Sequence, residues 1–210
     1  MKTYRVVKKS REAVPDEVFA GLEPQSIDCC NWSGEYGYVP AVNFRMYHTG
    51  ECLYVRFEVE EEGTMARVTD DNGEVWTDSC VELFLSPDCD DIYYNIETNC
   101  IGTQLIGWRT PGHVEHADAA TLALVCRESS LPREAFDAVQ GMCRWTLTLA
   151  IPAKAMFRHS IENWSGLRVR ANVYKCGDNM PRPHFLSWSP IENPTPCFHL
   201  PAFFGALVFE

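Results

Sequence analysis

The sequence has no long apolar run and few basic residues. No stretch approaches the roughly 18 apolar residues that a membrane-spanning helix needs. The basic N-terminal segment, residues 1–15, has no apolar core of the kind found in signal peptides. We therefore expect no membrane span, and either a protein that stays inside the cell or a trimmed sequence. Eighteen Lys and Arg against 29 Asp and Glu give a net charge of −11, which disfavours nucleic acid as a partner because like charges repel.

Paired-cysteine motifs are also missing. The ten cysteines include no C-x-x-C, and several stand in strand-like runs, where a thiol behaves as a small apolar side chain. Disulfides are rare inside the cell, where thiols are kept reduced. Because no signal peptide is visible, we expect reduced thiols in the core. Disulfide pairing is the alternative.

Helical periodicity is nearly absent. Pro152–His159 reads as a short helix with proline at its first position, and Pro132–Val139 is a second candidate. The composition is 46% hydrophobic and 22% charged, so a real core can form. No repeat and no linker divides the chain, which predicts one domain over residues 1–210.

Alternation of apolar and polar residues, in contrast, recurs from end to end. Many short strands joined by turns, with 13 Gly and 13 Pro to form them, predict an all-β domain, an antiparallel β-sandwich of immunoglobulin-like type with one or two short helices. Trp145 falls on an inward position and is expected in the core. The clearest predicted strands are Glu51–Glu60, Cys80–Ser86, Ile92–Thr98, Cys143–Ile151 and Leu167–Lys175.

The outward faces of three of these strands share an unusual composition. If Cys80–Ser86 and Ile92–Thr98 pair, Glu82 lies roughly opposite Asn95, with Glu97 diagonal to it. These faces combine carboxylate, guanidinium, carboxamide and aromatic side chains. Such side chains hydrogen-bond sugar hydroxyls and stack on pyranose faces, although a solvated face with cross-strand pairs is the alternative. The outward residues are Glu82, Phe84, Tyr93, Asn95, Glu97, Arg168, Arg170, Asn172 and Tyr174.

Two tryptophans stand in loop sequence. Trp76 follows the polar stretch Asp70–Val75, and Trp188 lies between two serines before Pro190. An exposed loop tryptophan suggests a ligand that stacks on it. The alternative is that each ring folds back onto the core.

Ordered blocks of the chain resemble the family 9 carbohydrate-binding modules, in particular their free-standing members. The resemblance implies a jelly-roll β-sandwich that grips a sugar, often a chain end, between two tryptophans, in the context of polysaccharide utilisation and carbohydrate catabolism. The blocks are Ile27-Asp28 followed by Trp32, Leu53–Val59, Val75–Leu85, and the closing segment from Phe185–Trp188 through Phe198–Pro201 to Phe204–Leu207.

The same resemblance implies residue roles. Trp76 and Trp188 match the two clamp tryptophans, and Glu82 matches the carboxylate that accepts sugar hydroxyls. Arg170 and Asn172 are candidates by strand face only. The predicted carbohydrate-binding residues are Trp76, Glu82, Tyr93, Asn95, Glu97, Arg170, Asn172 and Trp188.

Structural calcium is also implied by the resemblance. The acidic loops Asp70–Asn72 and Asp88–Asp91 are the candidates, but neither has a recognised calcium-loop spacing, so solvated turns are the favoured interpretation.

Three other functions stay open. Glu82 and Glu97 could serve as the carboxylate pair of a glycoside hydrolase. His113 and His116 have the spacing of metal ligands but lie in loop sequence. The aromatic residues could instead bind a protein. The function predicted first is non-catalytic carbohydrate binding.

Overall fold

The computed structural model describes all 210 residues and contains thirteen strands and two short helices. Neither helix has the length and apolar character needed to cross a membrane. The elements in chain order are β1 Thr3–Lys8, α1 Pro15–Ala20, β2 Gln25–Ser26, β3 Ala41–His48, β4 Cys52–Glu62, β5 Cys80–Ser86, β6 Tyr93–Asn99, β7 Gln104–Thr110, β8 His113–His116, α2 Ala119–Leu122, β9 Cys126–Ser129, β10 Met142–Pro152, β11 Arg168–Cys176, β12 Phe185–Ser187 and β13 Gly205–Phe209.

The strands form two sheets that share β1. The first sheet has the order β8-β7-β6-β5-β11-β13-β1, with β12 beside β11. The second sheet has the order β1-β3-β4-β10-β9, with β2 beside β3. β1 pairs with β13 through Thr3–Val6 and with β3 through Val7–Lys8, and these two pairings are the parallel ones. All other pairs are antiparallel, so the prediction of an all-β sandwich is confirmed.

The main core lies between the inner faces of the two sheets. Val81, Leu83 and Leu85 of β5 meet the alternating apolar residues of β4 and β10, as their period of two requires. Trp145 is among them with 2% exposure, which confirms its predicted place in the core.

The five clearest strand predictions are confirmed within two residues at each end. The two helix predictions are wrong. Pro152 ends β10, and only a single 3-10 turn, Ala153–Ala155, follows it. Residues 132–139 contain no helix, and Phe136 pairs with Ala66 in an isolated bridge.

The outer face of the first sheet is buried too. A second apolar cluster forms there because the chain from Ile191 to Phe204 and the segment around Trp32 lie across β5, β6 and β11. Within it, Tyr174 stacks on Phe198 with ring centroids 4.2 Å apart. These strands therefore carry apolar side chains on both faces, and polar residues between them are removed from water.

Trp188 belongs to the main core, not to a loop that projects from the sheet. Its side chain is 1% exposed, its backbone N–H donates to Val173, and its ring packs edge-on to Phe44. Gly205 is needed beside it, since a Cβ there would lie 2.7 Å from the Trp188 ring. The prediction that Trp188 projects from a loop is therefore wrong. Its neighbours Ser187 and Ser189 are buried as well, while Pro190 is exposed.

Glu61 and Lys175 form an ion pair that is fully enclosed. Lys175 Nζ lies 2.9 Å from Glu61 Oε2 and donates to His184 Nε2, also at 2.9 Å. Burial and the Lys175 charge lower the pKa of His184 to about 3, so its imidazole stays neutral and can accept this hydrogen bond. Trp145 Nε1 and the Ser79 hydroxyl donate to the other Glu61 oxygen, Oε1. This network links β4, β10 and β11 with Ser79, the residue before β5.

We expect Trp188→Ala to destabilise the fold by about 3–5 kcal/mol, because it removes a large buried ring and leaves a cavity. Denaturant unfolding of the two proteins measures this difference. Trp76→Ala, which truncates a half-buried ring, is the matched control and should cost much less. Equal loss of stability in the two variants would contradict the assignment of Trp188 to the core.

We expect Lys175→Met to cost about 3–5 kcal/mol, since it leaves the Glu61 carboxylate buried without its cation. The double variant Glu61→Gln/Lys175→Met should recover part of that loss. Lys154→Met, at an exposed position, is the control and should change stability by about 0.5 kcal/mol or less. Urea unfolding midpoints test all three, and a Lys175→Met protein as stable as the control would show that the pair is not a determinant of stability.

Candidate functional site

A cavity of about 260 Å³ opens on the outer face of the first sheet, beside the second apolar cluster. Its floor comes from the strands, and its walls come from the turn before β5, from β12 and from the C-terminal segment that crosses the sheet. The lining residues are Trp76, Glu82, Glu97, Arg109, Cys176, Asp178, Phe185, Pro196, Cys197, Phe198 and His199.

Trp76 is held at the cavity by a 3-10 turn, Val75–Thr77, immediately before β5. Val75 is fully buried and anchors this turn, while the Trp76 ring is half-buried. The backbone carbonyl of Trp76 accepts from the N–H of Asp178 at 3.2 Å, which ties the turn to the end of β11. The sequence therefore correctly placed Trp76 in a loop, and the structure brings it to the cavity wall.

Glu82 and Glu97 stand directly opposite each other on β5 and β6, and both line the cavity. The predicted partner of Glu82 was Asn95, which instead lies opposite Phe84. The true pairing is shifted by two residues because the hairpin turn continues to Ile92, with Cys89 in the left-handed region at φ 60°. A shift of two preserves the face of every side chain, so the predicted face is correct and the predicted partner is wrong.

Each glutamate has one oxygen bonded to protein and one that is not. Glu82 Oε1 accepts from the Cys176 thiol at 2.9 Å, and Glu97 Oε1 accepts from Asn95 Nδ2 at 2.7 Å. Both side chains are only 3% exposed. The remaining oxygens are left for a ligand in the cavity.

Burial changes the ionisation of this pair. It raises the pKa of Glu82 well above its usual range, and the neighbouring Cys176 and Glu97 raise it further. Burial also raises the pKa of Glu97, to about 7, although Asn95 and Arg109 act to lower it. A raised pKa favours the protonated carboxyl, which can donate a hydrogen bond as well as accept one, so the cavity floor can offer both donors and acceptors.

Asn95 positions other residues and does not line the cavity. It is fully buried, it donates to Glu97, and its Oδ1 accepts from Arg109 Nε at 2.9 Å. Gly107 stands opposite Asn95, and a Cβ there would come within 2.5 Å of Asn95 Oδ1. The Arg109 side chain makes no other hydrogen bond to protein, so its outer guanidinium nitrogens remain free at the cavity wall.

The other predicted site residues lie outside the cavity. Asn172 is buried and bonds the backbone of Ser189, and Arg170 bonds the carbonyls of Cys89, Asp90 and Pro201.

Tyr93 and Trp188 are the last two predicted carbohydrate-binding residues, and both also lie outside the cavity. The Tyr93 hydroxyl is 3.0 Å from His199 Nδ1 and lies at a neighbouring depression. Trp188 is in the main core. The cavity thus retains Trp76, Glu82 and Glu97 from the predicted set.

Sequence reasoning missed Arg109, Cys176, Asp178 and the aromatic pair Phe185 and Phe198. The sequence held a signal for Cys176 alone: alternation along β11 places it on the same outward face as Tyr174. Arg109 became visible only through the register of β7 against Tyr93. The C-terminal segment has no periodicity, so nothing in it predicted where Phe198 would lie.

The acidic loops do not fit calcium. Asp71 is bound by Arg127 at 2.6 Å and by the backbone N–H of Gln104. In the second loop, Asp88 pairs with His159, while Asp90 accepts from Ser86 and Ile92. Calcium takes six to eight converging oxygens, and these carboxylates point to separate protein partners. His113 and His116 likewise belong to no cluster of metal-binding side chains.

A second depression, of about 560 Å³, adjoins the cavity and shares Arg109 and His199 with it. It lies between the end of β7, the β7–β8 turn and the segment around Pro201. The two spaces meet at Arg109 and His199, and the second is the larger of the two.

Comparison with known proteins agrees with this architecture. A protein of Bacteroides uniformis ATCC 8492 proposed to bind carbohydrate has 43% sequence identity and a TM-score of 0.96, and the match covers 100% of this chain and 99% of that one. Among proteins with curated functions, none matches.

Two structures of a carbohydrate-binding module of family 9 from Caldicellulosiruptor kristjanssonii share the fold. The glucose complex has 14% identity and a TM-score of 0.64, and covers 100% of this chain and 96% of that one. The cellotriose complex has 13% identity and a TM-score of 0.65, and covers 100% and 94%. The model of carbohydrate-binding family 9 matches residues 13–209. With nearly the whole length matched, this chain belongs to carbohydrate-binding family 9.

Proposed function

We propose that the protein acts as a single non-catalytic module, residues 1–210, that binds the end of an oligosaccharide in the cavity at Trp76. The observation that carries this proposal is the pair of buried carboxyl groups, Glu82 and Glu97, each with an unbonded oxygen at the floor of an aromatic-walled cavity. Membership of the family and the sugar complexes of its C. kristjanssonii member support it.

Stacking is supplied by one tryptophan and two phenylalanines. Trp76 forms one part of the wall, and Phe185 and Phe198 form another. Apolar ring surface of this kind covers the C–H faces of a pyranose and contributes roughly 25 cal/mol per Å² buried. The proposed clamp therefore pairs Trp76 with phenylalanine rings, since Trp188 is unavailable in the core.

The polar groups give the sugar its orientation. Glu97 accepts hydrogen bonds from hydroxyls, and a charged acceptor makes the stronger bonds. Arg109 donates from the adjoining wall, and Glu82 in its protonated form can donate as well as accept. Asn95 acts through these residues by holding Glu97 and Arg109 in place.

The size of the cavity favours a chain end. At about 260 Å³ it is below the roughly 300–1,000 Å³ of pockets for drug-sized ligands, so it accommodates one terminal unit. The adjoining depression, reached past Arg109 and His199, has room for the units that follow.

Hydrolysis by Glu82 and Glu97 is the second candidate, because the two carboxyl groups share one cavity and burial raises the pKa of both. Directly opposite residues on adjacent strands project from the same sheet face, so both would meet a sugar from one side. Glycoside hydrolases place their carboxylates on either side of the scissile bond. This geometry favours binding over cleavage.

We expect Trp76→Ala to weaken binding of a sugar identified on a glycan array by roughly thirtyfold, the effect of losing about 2 kcal/mol at an aromatic anchor. Titration calorimetry on folded protein measures the affinity. Trp188→Phe, a conservative change in the core, is the control and should leave affinity unchanged. Unaltered affinity in Trp76→Ala would place the sugar elsewhere, and an array that captures no glycan would favour a protein ligand.

We expect no product when the protein is incubated at high concentration with aryl glycosides and oligosaccharides, because the two glutamates share one side of the cavity. Glu97→Gln keeps the shape of the side chain and removes its charge, and Glu128→Gln is the matched control at an exposed site. Product formation that is lost in Glu97→Gln but kept in Glu128→Gln would establish hydrolysis instead.

A further inference from the structure

Two cysteines and a glutamate meet at the floor of the cavity. Cys80 and Cys176 are directly opposite each other on β5 and β11, and Glu82 follows Cys80 by two residues on the same strand face. One donor atom from each of the three side chains lies within 4.8 Å of the other two. All three are buried, with exposures of 0%, 1% and 3% for Cys80, Cys176 and Glu82.

The partners of Glu82 are poor in comparison with those of Glu61 and Asp78, two other buried carboxylates. Glu61 faces the Lys175 ammonium and accepts from Trp145 and Ser79. Asp78 is also fully buried, and it accepts from two backbone N–H groups and from an asparagine amide.

Glu82, in contrast, accepts only from the thiol of Cys176, a weak donor, and faces a second carboxyl group, Glu97. A buried carboxyl group is stable when it is well hydrogen-bonded, paired with a cation or bound to a metal. Glu82 has no protein cation within ion-pair distance, so a cation at this position would complete its surroundings.

The donor set selects the kind of cation. Thiolates with one carboxylate suit Zn²⁺, which is bound by cysteine sulfur, histidine nitrogen and carboxylate oxygen, with three protein ligands where a fourth position stays open. Glu82 and Cys176 line the cavity, so an ion can enter from it and keep one position facing it.

We propose that Cys80, Glu82 and Cys176 form a binding site for one Zn²⁺ ion beneath the carbohydrate pocket. On binding, each thiol releases its proton to solvent and the sulfur ligates the ion as a thiolate. A protonated Glu82 carboxyl likewise releases its proton to solvent and ligates the ion as a carboxylate. The fourth ligand, water or a hydroxyl of the bound ligand, comes from the cavity side. This site goes beyond the proposed carbohydrate binding and does not depend on it.

Cobalt titration of the reduced, chelator-treated protein tests the site without any sugar present. We expect a thiolate-to-cobalt charge-transfer absorption that saturates at one ion per chain and is bleached by added Zn²⁺. The absorption should disappear in Cys176→Ala and in Glu82→Gln. Trp76→Ala should retain it while losing sugar affinity, so failure of the metal site and failure of sugar binding are read separately.

Cys100→Ala is the matched control, since Cys100 is fully buried in the main core and outside the cluster. Cys126→Ser controls for adventitious binding at an exposed thiol. An absorption that is absent from the wild-type protein, or that persists in Cys176→Ala, would overturn the proposal, as would its loss in Cys126→Ser.

X-ray absorption spectroscopy of the zinc-loaded wild-type protein gives a second answer without variants. Two sulfur and two lighter ligands per zinc are expected. A shell made only of oxygen and nitrogen, or one of four sulfurs, would show that zinc binds elsewhere.

Discussion

Burial of the first sheet on both faces is the constraint on which the site depends. One face meets the second sheet, and the other is covered by the segment from Ile191 to Phe204. Polar residues on the covered face therefore cannot rely on water and must find partners in the protein. Asn172 and Asn95 do so completely, by bonding backbone in one case and Glu97 and Arg109 in the other.

The cavity differs from the rest of this face because a few of its polar side chains lack a full set of hydrogen-bond partners in the protein. Glu82, Glu97 and Arg109 each keep hydrogen-bonding capacity that no protein group uses. Because water is largely excluded around them, hydrogen bonds to a ligand gain strength from the low local dielectric. The exclusion of water also raises the pKa of both glutamates, so burial sets both the strength of hydrogen bonds at the cavity floor and the ionisation of its carboxyl groups.

Buried carboxyl groups have different partners on the two faces of the first sheet. Glu61 is neutralised inside the sandwich by Lys175, and this pair joins strands of both sheets. Glu82, on the outer face of the first sheet, has no such partner. The two carboxyl groups thus differ in whether the protein itself supplies a cation, which is why Glu61 is structural and Glu82 is the one proposed to bind a ligand.

The period of two in the strands was enough to predict the fold class, the inner core with Trp145, and the face on which Glu82 and Glu97 lie. These features follow from local alternation, which does not change when a strand slips by two residues. Tertiary structure alone decided the rest. It paired Glu82 with Glu97 through a hairpin turn closed by Asp90, buried Trp188 against Phe44, and brought Phe198 and Arg109 to the cavity. These contacts join segments far apart in the chain, and no local pattern encodes which loop folds inward and which lies across the sheet.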